Sequence, residues 1–105
     1  MNPIEDKKKD IEEDIKQNPW LLYMKGNKMA PQCGFSGQVI HILNTLNVEY
    51  EVRNVLEDDV LREAIKEYSD WPTIPQLYIN GEFIGGCDII TEMYQNGDLK
   101  KMMAN

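Results

Sequence analysis

Cys33-Gly34-Phe35-Ser36 places one thiol and one hydroxyl three residues apart, where an amphipathic helical pattern begins. A Cys-x-x-Cys pair can close a disulfide on itself; Cys-x-x-Ser cannot. A cysteine just before a helix N-terminus meets unsatisfied N–H groups and the positive end of the helix dipole, and both favour thiolate over thiol. Lys25, at the end of the preceding apolar run, adds positive charge nearby. Such a thiolate is both a nucleophile and a soft metal ligand. Its partner must come from outside the tetrapeptide: Cys87, another chain, a small thiol or a metal.

The elements that position this thiol can be read from spacing. Asn2-Pro3 with Glu5 predicts a helix start with Asn2 as cap and Glu5 closing a capping box. Ile4, Ile11 and Ile15 share one face of that helix, Asn18-Pro19 ends it, and its charged remainder places it on the outside of the domain. Trp20–Met24 is nearly all apolar, as a strand buried on both faces would be. Lys25–Gln32 contains Gly26, Asn27 and Pro31 and reads as a loop. Val39, Ile42, Leu43 and Leu46 then form a helical stripe, and the alternation over Val48–Val52 predicts a half-exposed strand.

Asp58-Asp59 opens a further helix with Leu61, Ala64, Ile65 and Tyr68 on its inner face. Leu77–Ile79, Asn80-Gly81 and Glu82–Ile84 form a hairpin signal with a type I′ turn. Asp88 is expected to cap a helix through Tyr94 that ends near Gly97, and Asp98 a last short helix to Met103. The order α-β-α-β-α-β-β-α-α implies a parallel pair followed by antiparallel edges. The expected class is α/β: a thioredoxin fold, its four-stranded mixed sheet flanked by helices, with an extra N-terminal helix.

Composition narrows the partners. A chain of 105 residues with two cysteines suits one domain over 1–105 and is no disulfide scaffold. No run approaches the ~20 apolar residues that span a bilayer, so no membrane association is expected. Met1–Lys16 mixes acids with lysines and resembles neither a secretory signal nor a transit peptide. A cytoplasmic setting is expected, a bacterial cytosol or an organelle matrix of equivalent redox state. The net charge of −7 repels a phosphate backbone and argues against nucleic acid.

Lys25-Gly26, Cys33-Gly34-Phe35-Ser36, Trp71-Pro72-Thr73-Ile74-Pro75-Gln76 and Gly85-Gly86-Cys87-Asp88, in this order and spacing, resemble the monothiol, Cys-Gly-Phe-Ser glutaredoxin family. The resemblance covers the chain from Trp20 to Met103. It implies a glutathione-binding protein that assembles, carries and transfers a [2Fe–2S] cluster bridged between two subunits, in iron–sulfur cluster biogenesis. A cluster needs four ligands, usually thiolates. In the family these are Cys33 from each subunit of a homodimer and the thiolates of two glutathione molecules. Ser36 then keeps a competing thiol away.

The same resemblance carries the glutathione contacts onto this chain. Lys25 and Arg62 match positions that hold the glycine-end carboxylate, with Gln76 a weaker candidate there. Thr73-Ile74-Pro75 matches a cis-proline turn that offers the Ile74 backbone to the cysteinyl part, so that the Ile74 side chain itself matters little. Gly86, Cys87 and Asp88 match the γ-glutamyl end, where helix amides receive a carboxylate and the Asp88 side chain meets the ammonium. Cys87 is also a conceivable disulfide partner for Cys33. His41 stands alone and is no metal site; Trp20, Trp71 and the six methionines read as packing or groove wall.

Two further functions compete. One is a glutathione-dependent thiol–disulfide oxidoreductase that removes glutathione from proteins with Cys33 as sole nucleophile, a reaction at which the family is weak. The other is an interaction module in which one subunit gives way to another protein, such as a BolA-type partner. Apo iron–sulfur proteins are the partners that cluster transfer implies.

Overall fold

A strand that is apolar at every position needs cover on both faces, and β1 (Trp20–Met24) has it, with all five residues buried. In the computed structural model, which describes residues 2–103, β1 lies inside a four-stranded sheet of order β2-β1-β3-β4. The other strands are β2 (Glu51–Asn54), β3 (Gln76–Ile79) and β4 (Glu82–Gly85). β1 runs parallel to β2 and antiparallel to β3, and β3 antiparallel to β4. Five helices complete the chain: α1 (Pro3–Gln17), α2 (Gly34–Leu46), α3 (Asp59–Ser69), α4 (Cys87–Gln95) and α5 (Asp98–Met102). Met1, Ala104 and Asn105, which the expected domain also includes, lie outside the described residues.

Side chains alternate across a strand, so β1 serves two cores. Trp20, Leu22 and Met24 join Val39, Ile42 and Leu43 of α2, Ile90 of α4 and Leu99 of α5. Leu21 and Tyr23 join Ile11 and Ile15 of α1 with Ala64 and Ile65 of α3. The sheet is therefore covered by α2, α4 and α5 on one face and by α1 and α3 on the other. This is the thioredoxin fold with an added N-terminal helix, in the element order expected. Among the described residues no helix is long and apolar enough to cross a membrane.

Four local expectations are corrected. β2 begins at Glu51 rather than Val48, because Leu21 pairs with Glu51 and β1 starts only one residue earlier. Val48 and Tyr50 instead pack beneath the sheet against the α2 core. Asn2 caps α1 through Ile4 N–H at 2.9 Å, but Glu5 closes no capping box; its carboxylate pairs with Lys8 at 2.8 Å. Gly86, not Asp88, is the N-cap of α4, and Gly97, not Asp98, that of α5. In both helices the acid stands inside the first turn, where its charge still favours the dipole. The hairpin is as expected, with φ of 51° at Asn80 and 84° at Gly81.

Asp58 links two of the layers. Its side chain accepts from Leu61 N–H at 3.0 Å as the cap of α3, and Lys7 of α1 reaches it at 3.0 Å. The Leu61 amide first, and Lys7 second, hold the Asp58 carboxyl below the ordinary carboxylate range. A depressed pKa stabilises the fold above the unfolded carboxylate value and loses that contribution as pH falls through the folded value. Asp58→Ala is expected to cost about 1 kcal/mol in urea denaturation at neutral pH, and Asp58→Asn less, because asparagine also caps. The gap between wild type and Asp58→Asn should close below about pH 3.

Candidate functional site

The first turn of α2 is held by a buried hydroxyl. Ser36 is fully buried, and its Oγ accepts from the Lys25 backbone N–H at 3.1 Å, tying the helix start to the end of β1. Cys33 sits in extended backbone at the N-cap, with φ −148° and ψ 137°, and its carbonyl accepts from Gly37 N–H at 2.9 Å. Its thiol is left facing the first-turn amides. The Ser36 N–H lowers the Cys33 pKa most, followed by the Phe35 N–H, Lys25 and the Ser36 hydroxyl, against an opposing effect of partial burial. Cys87 differs: burial first, then charge from Asp88 and Cys33, pushes its thiol up, against a lowering contact with Thr91. Both cysteines are free thiols.

The loop from Lys25 to Gln32 returns on itself tightly. Gln32 N–H donates to the Lys25 carbonyl, and Gly26 N–H to Asn54 Oδ1, each at 2.9 Å. Gly26 has φ +94°, and a Cβ there would lie 2.5 Å from the Ala30 carbonyl oxygen. Only glycine fits this position.

Beside Cys33 opens a cleft of about 460 Å³, and three segments remote in sequence wall it. Lys25 and Arg62 bring cations from β1 and α3; Thr73, Ile74 and Pro75 form a turn; Gly86, Cys87 and Asp88 bring the start of α4. Every residue that the sequence nominated for glutathione or for chemistry therefore lines one cavity. Ile74–Pro75 is cis. A Cβ on Gly86 would come within 3.3 Å of the Pro75 carbonyl oxygen, so the α4 start is seated closely against the turn.

Some side chains depart from their expected roles. Gln76 is fully buried and does not line the cleft; its Nε2 donates to the Trp71 and Thr73 carbonyls at 3.2 Å each, and Tyr78 Oη donates to its Oε1 at 3.4 Å. It shapes the turn instead of meeting a ligand. The Ile74 side chain is not indifferent either, since it packs in the α1–α3 core. Trp71 is cleft wall, resting on Phe83 at 6.0 Å between ring centroids, whereas Trp20 is core. His41 is exposed on α2.

Lys66 is the cleft residue that the sequence reading missed. The signal was present: Arg62 and Lys66 are four apart on α3 and share a face. Phe35 and Ile89, both exposed, also border the cleft without having been nominated.

The glutaredoxin family model matches residues 21–84, more than half of the chain. A probable monothiol glutaredoxin 2 of Rickettsia typhi is 60% identical over 95 residues, spanning 90% of this chain and 86% of that one. The chain belongs to the monothiol glutaredoxin family. An uncharacterized monothiol glutaredoxin ycf64-like of Synechocystis is 52% identical over 103 residues, with 98% and 94% of the two chains covered. Among solved structures, a monomeric truncated mutant of Trypanosoma brucei 1-C-Grx1 superposes with a TM-score of 0.85 at 47% identity, covering 92% of this chain and 88% of that one. A buckwheat glutaredoxin–glutathione complex superposes at 0.87 with 22% identity over 97% and 91%, which speaks for the shared fold.

In this monothiol glutaredoxin the two thiols should alkylate at different pH. Cys33 is expected to react with iodoacetamide at a lower midpoint pH than Cys87, read on the separate peptides by mass spectrometry. Lys25→Met should move the Cys33 midpoint upward, because a positive neighbour of the thiolate is lost. Equal midpoints for the two cysteines would contradict the described electrostatics.

Proposed function

We propose that this chain binds glutathione and assembles, carries and hands on a [2Fe–2S] cluster held between two copies of itself. The observation that carries the reading is the activated, half-exposed Cys33 thiol at the edge of a cleft with cations along α3 and helix amides at α4. A cluster with four thiolate ligands cannot be completed by Cys33 alone. Among the described residues no group of three or more His, Cys, Asp or Glu is arranged to hold a metal ion. Two Cys33 thiolates and two glutathione thiolates make four. Because half of these ligands are small exchangeable molecules, the cargo can pass to apo iron–sulfur proteins, and a BolA-type protein could replace one copy.

Glutathione offers two carboxylates, an ammonium and a peptide backbone, and the cleft answers each. Lys25, Arg62 and Lys66 suit the glycine-end carboxylate, Arg62 through its planar fork. The backbone of Ile74 suits the cysteinyl part. The open amides at Cys87 and Asp88 suit the γ-glutamyl carboxylate, and the exposed Asp88 carboxylate suits the ammonium.

Reconstitution with iron, sulfide and glutathione tests this directly. A visible chromophore with one cluster per two chains is expected, lost in Cys33→Ser and kept in Cys87→Ser. A colourless monomer would sink the proposal. Calorimetry on the apoprotein should show glutathione affinity lowered roughly tenfold or more in Arg62→Ala, the scale of a charge-assisted hydrogen bond, with a smaller loss in Lys66→Ala. Unchanged affinity in both variants would remove α3 from the glutathione contacts.

The depressed thiol also supports a second reading, a glutathione-dependent oxidoreductase. Cys33 thiolate attacks the glutathione sulfur of a mixed disulfide and expels the protein thiolate; a second glutathione thiolate then releases oxidised glutathione and restores Cys33. Turnover of a glutathionylated protein comparable to that of a dithiol glutaredoxin would favour this reading over the carrier.

A further inference from the structure

The Lys25–Gln32 loop is fastened at two heights. Its base is closed by the Gln32–Lys25 and Gly26–Asn54 bonds described above. Its tip is held by Lys28, whose ammonium stands 4.1 Å from the centre of the Tyr50 ring and donates to the Tyr50 carbonyl. Tyr50 is a firm anchor. It is 7% exposed within the α2 core, and its hydroxyl donates to Asn44 Oδ1 at 2.8 Å.

The tip has little else to hold it. Its internal support is the Asn27 turn, in which Oδ1 accepts from Met29 and Ala30 N–H at 3.1 and 2.9 Å. An ammonium over an aromatic face contributes ~0.5–1 kcal/mol at an exposed site, and a charged hydrogen bond adds to that. Lys28 and Tyr50 border a second concavity with Trp20, Asn44 and Val48, while no residue from Gly26 to Gln32 lines the Cys33 cleft. The tip is thus drawn toward β2. Met29 is left 94% exposed, and Phe35, beside the thiol, 62% exposed.

We propose that Lys28 is a positioning residue that holds the Lys25–Gln32 loop back from Cys33 and so keeps the thiol open to a partner as large as a protein. Both readings of Cys33 require such an approach, and the tether acts on access itself, whichever fate of the thiol is right. Released from Tyr50, the tip can swing over the start of α2 and obstruct a bulky partner while still admitting a small one.

The test compares alkylation of Cys33 by a long-chain polyethylene-glycol maleimide and by N-ethylmaleimide on the apoprotein in a Cys87→Ser background. Both reagents consume the thiolate, so the ratio of their rates cancels any change in ionisation and reports access. Lys28→Ala and Lys28→Met are expected to lower the large-to-small ratio by roughly two- to fivefold, the population shift that loss of one such contact allows. Lys28→Arg should keep the wild-type ratio, since a guanidinium also stacks on a ring and donates to a carbonyl. Melting temperatures should stay together across the three variants. A wild-type ratio in Lys28→Ala and Lys28→Met, or a ratio lowered equally in Lys28→Arg, overturns the proposal.

Discussion

The bond from Lys25 N–H to Ser36 Oγ fixes the start of α2 against the end of β1, and the geometry around Cys33 depends on it. With that helix start in place, the Ser36 and Phe35 amides converge on the thiol and Lys25 brings its charge to the same rim. A cysteine at position 36 would have offered a disulfide partner, but also a far weaker acceptor for a backbone N–H. Ser36 is therefore a structural bond as well as a missing thiol. Opposite it, Gln38 Nε2 donates to Thr91 Oγ1 at 2.9 Å, so α2 is tied to α4 as well as to the sheet.

The cleft is a place of opposite sign on an acidic chain of net charge −7. Arg62 and Lys66 line it on α3, while the acids of α1 face elsewhere and pair with Lys7, Lys8 and Arg53. A small anionic ligand is drawn in by local charge, whereas a long polyanion meets the overall field. Gln76 makes the turn between α3 and β3 rigid from inside by binding two carbonyls at once. The Ile74 backbone is presented on a turn that cannot easily sag.

Much of this was legible in the chain. The all-apolar Trp20–Met24, the stripe from Val39 to Leu46 and the Asn80-Gly81 turn each give rise to the element expected. Their signals are local, either a periodicity or a conformational demand of one residue type. The misplaced start of β2 shows the limit. Alternation over Val48–Val52 correctly marks Tyr50 as inward, but pairing depends on where the neighbouring strand begins. Likewise Asp88 and Asp98 have the chemistry of caps, yet Gly86 and Gly97 occupy the capping positions because the chain turns there.

The sequence by itself determined the order of elements, the identity of the reactive thiol and the residue types that could receive a charged tripeptide. These follow from side-chain chemistry and spacing along one helix or strand. Only the tertiary structure decided that Lys66 belongs with Arg62 in the cleft, that Gln76 is buried beneath it, and that Lys28 is committed to Tyr50, 22 positions away. Each of those depends on a contact between segments distant in the chain. Such contacts arise from packing helices on both faces of one sheet, and no local pattern records them.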